Sequence, residues 1–238
     1  MQAASAADLP MKAPPPAPVV LTNFTGCYID GGAGYNVWNN DHSMTGPFGA
    51  GGALATTVST TDGGRGWYGR VGAGCDCQFP FAGGQWVVGA FGDYDFMEAS
   101  GNNTPSEVFA FPRGGFSPVT ARTKMTDAYY VGARIGYVAL PNLLTYLDGG
   151  WTGMRFSMSP EQQIATGAFI GFSYPSFTNN NGWFLGGGTE YLLPWFKGLY
   201  WRTEYRYAEY AFSNIAEFNT ATNALTGNVE HVRTTTSR

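Results

Sequence analysis

The chain has 238 residues, with Lys+Arg 13 against Asp+Glu 17 and a formal net charge of -4, a size that fits one large all-β domain or two small ones. Charged residues make up only 13%, about half the roughly 25% of an average soluble domain, while Gly 34, Phe 17, Tyr 14 and Trp 7 supply a strand-and-turn composition. An acidic balance with no basic cluster excludes nucleic-acid binding by phosphate neutralisation, and 44% hydrophobic residues are enough to support a core rather than a disordered chain.

Mean hydropathy is slightly negative, and no apolar run approaches the roughly 20 residues that a membrane-spanning helix needs. That excludes helical membrane proteins only, because a β-barrel crosses lipid on alternate residues.

At the N-terminus, Ala4, Ser5 and Ala6 have the small-residue character of an export-signal cleavage site, with no basic and apolar segments before them. They read as the remnant of a processed signal or as a chance run of small residues. Pro10 to Pro18 (PMKAPPPAP) reads as an extended polyproline-type tether. Residues 1–24 are therefore set apart from a barrel over residues 25–238.

Eight strand-like stretches follow: Gly26 to Trp38, Trp67 to Gln78, Gln85 to Met97, Asp127 to Val138, Leu144 to Ser157, Trp183 to Leu193, Leu199 to Phe212, and Asn228 to the end. Each is near the roughly 9 to 11 residues that a tilted strand needs to cross a hydrocarbon layer. The links Phe79 to Gly84, Ala139 to Leu143 and Pro194 to Gly198 are tight and contain Pro or Gly. The other links, Asn39 to Gly66, Glu98 to Thr126, Met158 to Gly182 and Ser213 to Gly227, are long and polar. Strict short and long alternation puts all turns at one end of an up-and-down barrel and all long loops at the other.

Side-chain alternation sorts the two faces. Trp86, Val88, Ala90, Tyr94 and Phe96 oppose Gly89, Phe91, Asp93 and Asp95; Trp201, Thr203, Tyr205 and Tyr207 oppose Arg202, Glu204 and Arg206. With apolar faces outward, the inward set collects Asp30, Asp76, Asp93, Asp95, Asp148, Glu190 and Glu204 with Arg70, Arg134, Arg202 and Arg206. An eight-stranded barrel is just wide enough for its side chains to fill, so bidentate Arg–carboxylate pairing predicts a polar, plugged interior without an open pore. The opposite arrangement, a soluble lipocalin-like barrel with its charges outside, is disfavoured by Trp67, Trp86, Trp151, Trp183 and Trp201, placed as interfacial anchors.

Several stretches together resemble the small outer-membrane immunogenic proteins of alphaproteobacteria, the surface-antigen group of the opacity-like porin family. They are TGCYIDGGAGY (Thr25 to Tyr35), ADLPMKAPPPAP (Ala7 to Pro18), WVVGAFGDYDF (Trp86 to Phe96), RIGYVALPNLLTYLDGGW (Arg134 to Trp151), GWFLGGGTEY (Gly182 to Tyr191) and WRTEYRYAEY (Trp201 to Tyr210). The resemblance covers nearly the whole chain. It implies an OmpA-type eight-stranded transmembrane barrel of a Gram-negative outer membrane, with extracellular loops, periplasmic termini and no catalytic residues. It also implies lipid and lipopolysaccharide surroundings, assembly by the barrel-assembly machinery, and a surface-antigen or envelope-stabilising role; some members are described as porin-like or haem-binding. Two departures stand out. Cys27 replaces the family's usual aromatic residue, and the chain ends Thr234-Thr235-Thr236-Ser237-Arg238 instead of an aliphatic-aromatic strand. Neither face of the last strand suits lipid, so that strand is expected to be incomplete at Arg238.

The remaining chemistry reads as structural. Glycine runs Gly31 to Gly34 and Gly49 to Gly52 have no following helix and no GK[ST], and fit strand and loop glycines. Cys27, Cys75 and Cys77 share the outward face and read as small wall residues, with a cross-strand disulfide from Cys27 as the alternative. His42, placed in a loop, and His231 near the terminus make no metal site with them. A His42-based acyltransferase or protease would need a Ser and an acid from other loops. Phe109, Phe111, Phe116, Phe169, Phe172, Tyr174 and Phe177 put aromatics in the loops, either for recognition or folded over the barrel mouth. The expected function is thus a non-enzymatic outer-membrane structural and surface protein without cofactor or nucleic-acid partner, its loops open to envelope or host proteins. A narrow diffusion channel and a soluble periplasmic ligand-binding barrel are the alternatives.

Overall fold

In a computed structural model describing residues 23–45, 56–57, 59–103, 107–110, 116–164, 166–196 and 198–238, the alternating segments form a ring of eight antiparallel strands. They are β1 (Gly26–Thr45), β2 (Thr60–Phe81), β3 (Gly84–Asn103), β4 (Phe116–Leu140), β5 (Leu143–Met158), β6 (Phe177–Leu192), β7 (Tyr200–Tyr210) and β8 (Leu225–Ser237). Each pairs with its sequence neighbour, and β8 returns to β1. The fold is an all-β, up-and-down barrel. The N-terminal segment 1–22, the Gly49 to Gly52 run and Phe111 lie outside the described residues.

The strands outrun the lengths expected from the apolar pattern. β1 continues past Trp38 to Thr45 because Asn36, Trp38, Asn40, His42 and Met44 keep facing inward on every second residue. The same extension carries β2 back to Thr60 and β4 back to Phe116. His42 therefore lies in the barrel wall and not in a loop. The link expected from Ser213 to Gly227 is also largely strand: β7 resumes as Ser213–Asn219 and folds back on β8 through a turn in which Asn223 has φ 56°.

β8 pairs with the loop-end half of β1, Val37 to Thr45, and with Tyr207 to Glu209 and Ser213 to Ala216, so it does not run beside the turn-end half of either neighbour. Its mixed polar faces suit that position, above the apolar band described below.

At the turn end, β2 and β3 are joined through Ala82 (φ 48°) and Gly83 (φ 78°). Two successive positive φ values make the hairpin turn that matches the right-handed twist of its strands. Close by, Cys27 and Cys75 face each other across β1 and β2, and the structure joins them in a disulfide; Cys77 is a free, exposed thiol. The reading of all three as plain wall residues is corrected accordingly. Register decides it, because Cys27 opposes Cys75 and not Cys77.

Denatured, unreduced protein is expected to titrate one thiol, Cys77, of the chain's Cys 3. Replacing Ala82→Asn should raise unfolding stability by about 1 kcal/mol, since a non-Gly residue in the left-handed region costs roughly 1–2 kcal/mol and Asn tolerates it better than Ala. Denaturant midpoints in detergent check this.

Candidate functional site

Every second residue of the strands points into the barrel, and the inward charges meet there. At the turn end, the Arg134 Nε donates to Asp76 Oδ1 at 2.9 Å, and its guanidinium also reaches Glu190. The Arg202 Nε donates to Glu190 Oε1 at 2.7 Å and its Nη1 to Asp30 Oδ2 at 2.9 Å. Tyr28 and Tyr146 stack beside Arg134, 4.9 and 5.0 Å from its guanidinium carbon. One level higher, Arg70 donates to Glu204 (2.9 Å) and Asp93 (2.8 Å), and Arg206 to Asp148 (2.7 Å) and Asp93 (2.8 Å). The Tyr146 hydroxyl donates to Glu204 at 2.8 Å.

All eleven charges named from the sequence thus lie in one connected network: Asp30, Arg70, Asp76, Asp93, Asp95, Arg134, Asp148, Glu190, Arg202, Glu204 and Arg206. The sequence reading missed Arg238, which is buried at the top of the network, 3.2 Å from Asp93 and against Asp95. Its signal was available, since Glu230, Val232, Thr234, Thr236 and Arg238 share one parity. Glycines make room for these long side chains. A Cβ on Gly186 would lie 2.5 Å from both Arg206 Cγ and Asp148 Oδ1.

The expectation of a uniformly polar interior is corrected above this level. Trp38, Met97, Met125, Met154, Phe156 and Tyr210 form an apolar layer across the barrel. The Trp38 Nε1 donates to the Ala99 carbonyl at 3.3 Å, and its ring meets Phe156 edge-on at 5.2 Å. Over that layer sits buried His42, with Nδ1 3.0 Å from Glu230 and Nε2 3.9 Å from Asp62. Met44, Tyr174, Ile215 and Val232 cap the stack, with Phe177 packed against them. Of the loop aromatics, Tyr174 and Phe177 therefore fold into the mouth, while Phe169 is exposed. His231 faces outward from β8, between Thr45 and Asn214. Among the described residues, no group of three or more His, Cys, Asp or Glu is placed to hold a metal ion.

The outer face has the opposite character. Ile29, Val71, Val131, Ile135, Leu147 and Leu185 are exposed in a band, Ile29 by 85%. Phe81, Trp86, Tyr137, Tyr191, Trp195 and Trp201 rim it at the turn end, and Tyr35, Trp67, Phe96, Trp151, Trp183 and Tyr207 at the loop end. On β1 to β7 no outward side chain between the rims is charged. Outward charges begin past the loop-end rim, with Lys124 bonded to Glu98 at 2.7 Å, Arg155 near Asp127, and Arg233 on Glu209. The Lys124 hydrogen bond holds the exposed Glu98 carboxyl below its ordinary pKa.

No known protein family and no curated protein matches the sequence. Among solved structures, Neisserial surface protein A is similar at 13% identity, with a TM-score of 0.30 over 87% of this chain and 97% of that one. The attachment invasion locus protein Ail of Yersinia pestis is similar at 9% identity and a TM-score of 0.26, over 86% of this chain and 95% of that one. The same protein in complex with the heparin analogue sucrose octasulfate gives 8% and 0.27. The barrel assignment rests on the strand pairings themselves.

Asp93 accepts from three arginines, so Asp93→Ala should lower unfolding stability by about 3–5 kcal/mol, the usual cost of leaving buried charges without their partner. Glu98→Ala, which removes an exposed pair, should leave the denaturation midpoint unchanged. Equilibrium unfolding of both variants in detergent compares the two.

Proposed function

We propose that the protein is a non-enzymatic barrel of the bacterial outer membrane that anchors and displays a surface structure. The observation that carries this reading is the uncharged outward band between two aromatic rims, set against an interior that holds the ion network. A water-facing barrel has no reason to expose isoleucine, leucine and valine on strand after strand while burying its arginines. Ten residues separate Trp86 from Phe96 on β3; at about 3.4 Å per residue and a tilt of about 40° they span about 26 Å, near the roughly 25 Å apolar band of such barrels.

Orientation follows from the same asymmetry. Tight turns would face the periplasm, as would the N-terminus before Gly26, and the extended strands beyond the loop-end rim would face outside the cell. Lipid and lipopolysaccharide would surround the band. Envelope or host proteins would meet the outer wall above it and Phe169, since Tyr174 and Phe177 are spent on closing the mouth. The barrel-assembly machinery is the expected folding partner. Membership of the surface-antigen group rests on the sequence resemblance.

A role without catalysis is supported by the state of the candidate groups. The inward carboxylates are held by arginines, and His42 is enclosed beneath the cap between Glu230 and Asp62. A conducting role is disfavoured by the two stacked layers that fill the interior, the Arg70–Arg206 level and the Trp38–Met125–Phe156 level.

Fractionation of cells should place the protein in the outer membrane, and the detergent-extracted protein should migrate differently before and after boiling, as a closed barrel does. A soluble protein with no mobility shift would overturn the reading. In planar bilayers the purified protein should give no discrete conductance steps; reproducible steps would replace the plugged barrel by a narrow channel.

A further inference from the structure

The outward cations of the barrel are unevenly placed. Among the described residues they are Arg65, Arg122, Lys124, Arg155 and Arg233; all lie beyond the loop-end rim and none stands at the turn-end rim. Arg233 is taken by Glu209 and lies over the Phe212 ring. The other four share one flank, β2 to β5, where strand pairing sets them in a row. Arg65 on β2 is opposite Ser100 on β3, Ser100 is opposite Lys124 on β4, and Lys124 is opposite Ser157 on β5. The outward carboxylates described on these strands are Glu98, bonded to Lys124, and Asp127, 3.7 Å from Arg155. Among the described residues, no carboxylate pairs with Arg65 or Arg122.

The row contains a shallow pocket of about 410 Å³, lined by Glu98, Ser100, Arg122, Lys124, Ser157 and Ser159 among others. Hydrogen-bond donors are in excess there. The Arg122 Nη2 donates to Ser100 Oγ at 3.3 Å, and the Arg122 backbone N–H donates to Ser159 Oγ at 2.8 Å. Both hydroxyls accept from Arg122 and keep their own hydrogens for another acceptor. The Arg122 guanidinium and the Lys124 ammonium add further N–H groups, and Glu98 is the one carboxylate that lines the pocket. A donor-rich pocket of net positive charge suits a phosphate, whose oxygens accept several charge-assisted bonds at once.

Height above the membrane band selects the carrier of that phosphate. Arg65 stands two residues from Trp67 on the loop side, and Ser157 stands six from Trp151. At about 3.4 Å per residue and a tilt of about 40°, the row rises from about 5 Å to about 16 Å beyond the aromatic rim. The rim itself sits at headgroup level, and the headgroup layer adds only about 5–8 Å on each side of the hydrocarbon. A glycerophospholipid phosphate therefore reaches the lower end of the row alone. Phosphates carried on a saccharide headgroup reach all of it.

We infer that the β2–β5 flank is a binding site for the phosphorylated saccharide headgroup of a glycolipid in the loop-end leaflet, which in a bacterial outer membrane is lipopolysaccharide. Arg122 and Lys124 hold a phosphate among the serine hydroxyls, and Arg65 and Arg155 meet anionic groups nearer the rim. The inference rests on the membrane reading above and adds to it a defined, one-sided lipid site.

Titration of the extracted protein in nonionic detergent tests the site, with purified lipopolysaccharide, the same material after enzymatic dephosphorylation, and phosphatidylglycerol as probes. Untreated lipopolysaccharide should bind more tightly than either of the others. Arg122→Gln combined with Lys124→Gln should weaken that binding about 30-fold, while Arg233→Gln, away from this flank, should leave it unchanged. A double variant that binds like the parent, equal binding of phosphatidylglycerol, or indifference to dephosphorylation would overturn the inference. Gel mobility before and after boiling separates this site from the barrel reading. Loss of the shift in the parent protein would count against the barrel; a double variant that keeps both the shift and the parent's affinity would count against the site alone.

Discussion

Burying guanidinium and carboxylate groups together is the constraint on which this structure depends. An ion withdrawn from water carries a penalty of several kcal/mol that only well-placed partners offset, so each inward charge ties its strand to strands elsewhere in the ring. Asp93 on β3 gathers Arg70 from β2, Arg206 from β7 and Arg238 from the end of β8. Arg134 on β4 joins Asp76 on β2 to Glu190 on β6. Of these ties only Arg70 to Asp93 joins neighbouring strands; the others cross the barrel. Arg134 lies directly opposite Asp148 in the β4–β5 ladder, yet its bonds go to Asp76 and Glu190, while Asp148 is taken by Arg206.

Packing around the network follows from the same constraint. Tyr28, Tyr146 and Phe91 lie over the guanidinium planes, where an aromatic face adds attraction without needing a charge. Glycines at wall positions such as Gly186 admit side chains that any Cβ would push aside. Above Arg238 the strands still alternate, but the inward residues change to Trp38, Met97, Met125, Met154 and Phe156, which carry no charge and close the interior by packing. Ion pairing organises the lower interior and apolar packing seals the upper one.

The proposed membrane role rests on the inversion of charge between inside and outside. With arginines turned inward and the outer band uncharged, the wall has an apolar exterior, and only past the loop-end rim do Lys124, Arg155 and Arg233 return charge to the surface. The chain thereby divides into a lower part, with an uncharged outer band around an ion-paired interior, and an upper part that carries charges on its outer face. His42, the residue that most invited a catalytic reading, lies within the stack beside Glu230.

Much of this was legible in the sequence because alternation is a local property. The inward or outward direction of Asp93, Arg134, Trp201 and Tyr205 depends only on the parity of a residue within its own strand. The eight strands, their short and long links, the outward belt and the list of interior charges could be read that way. Strand limits could not, because the extension of β1 through Trp38 to Met44 shows no simple apolar-polar contrast: Asn40, His42 and Met44 all face inward. Tertiary structure alone decided which charges meet, that Cys27 opposes Cys75, and that β8 lies beside the loop-end halves of β1 and β7. These are matters of register, and register is set when the ring closes on residues far apart in sequence; the bond from Arg202 to Asp30 joins positions 172 residues apart, a relation that no local pattern encodes.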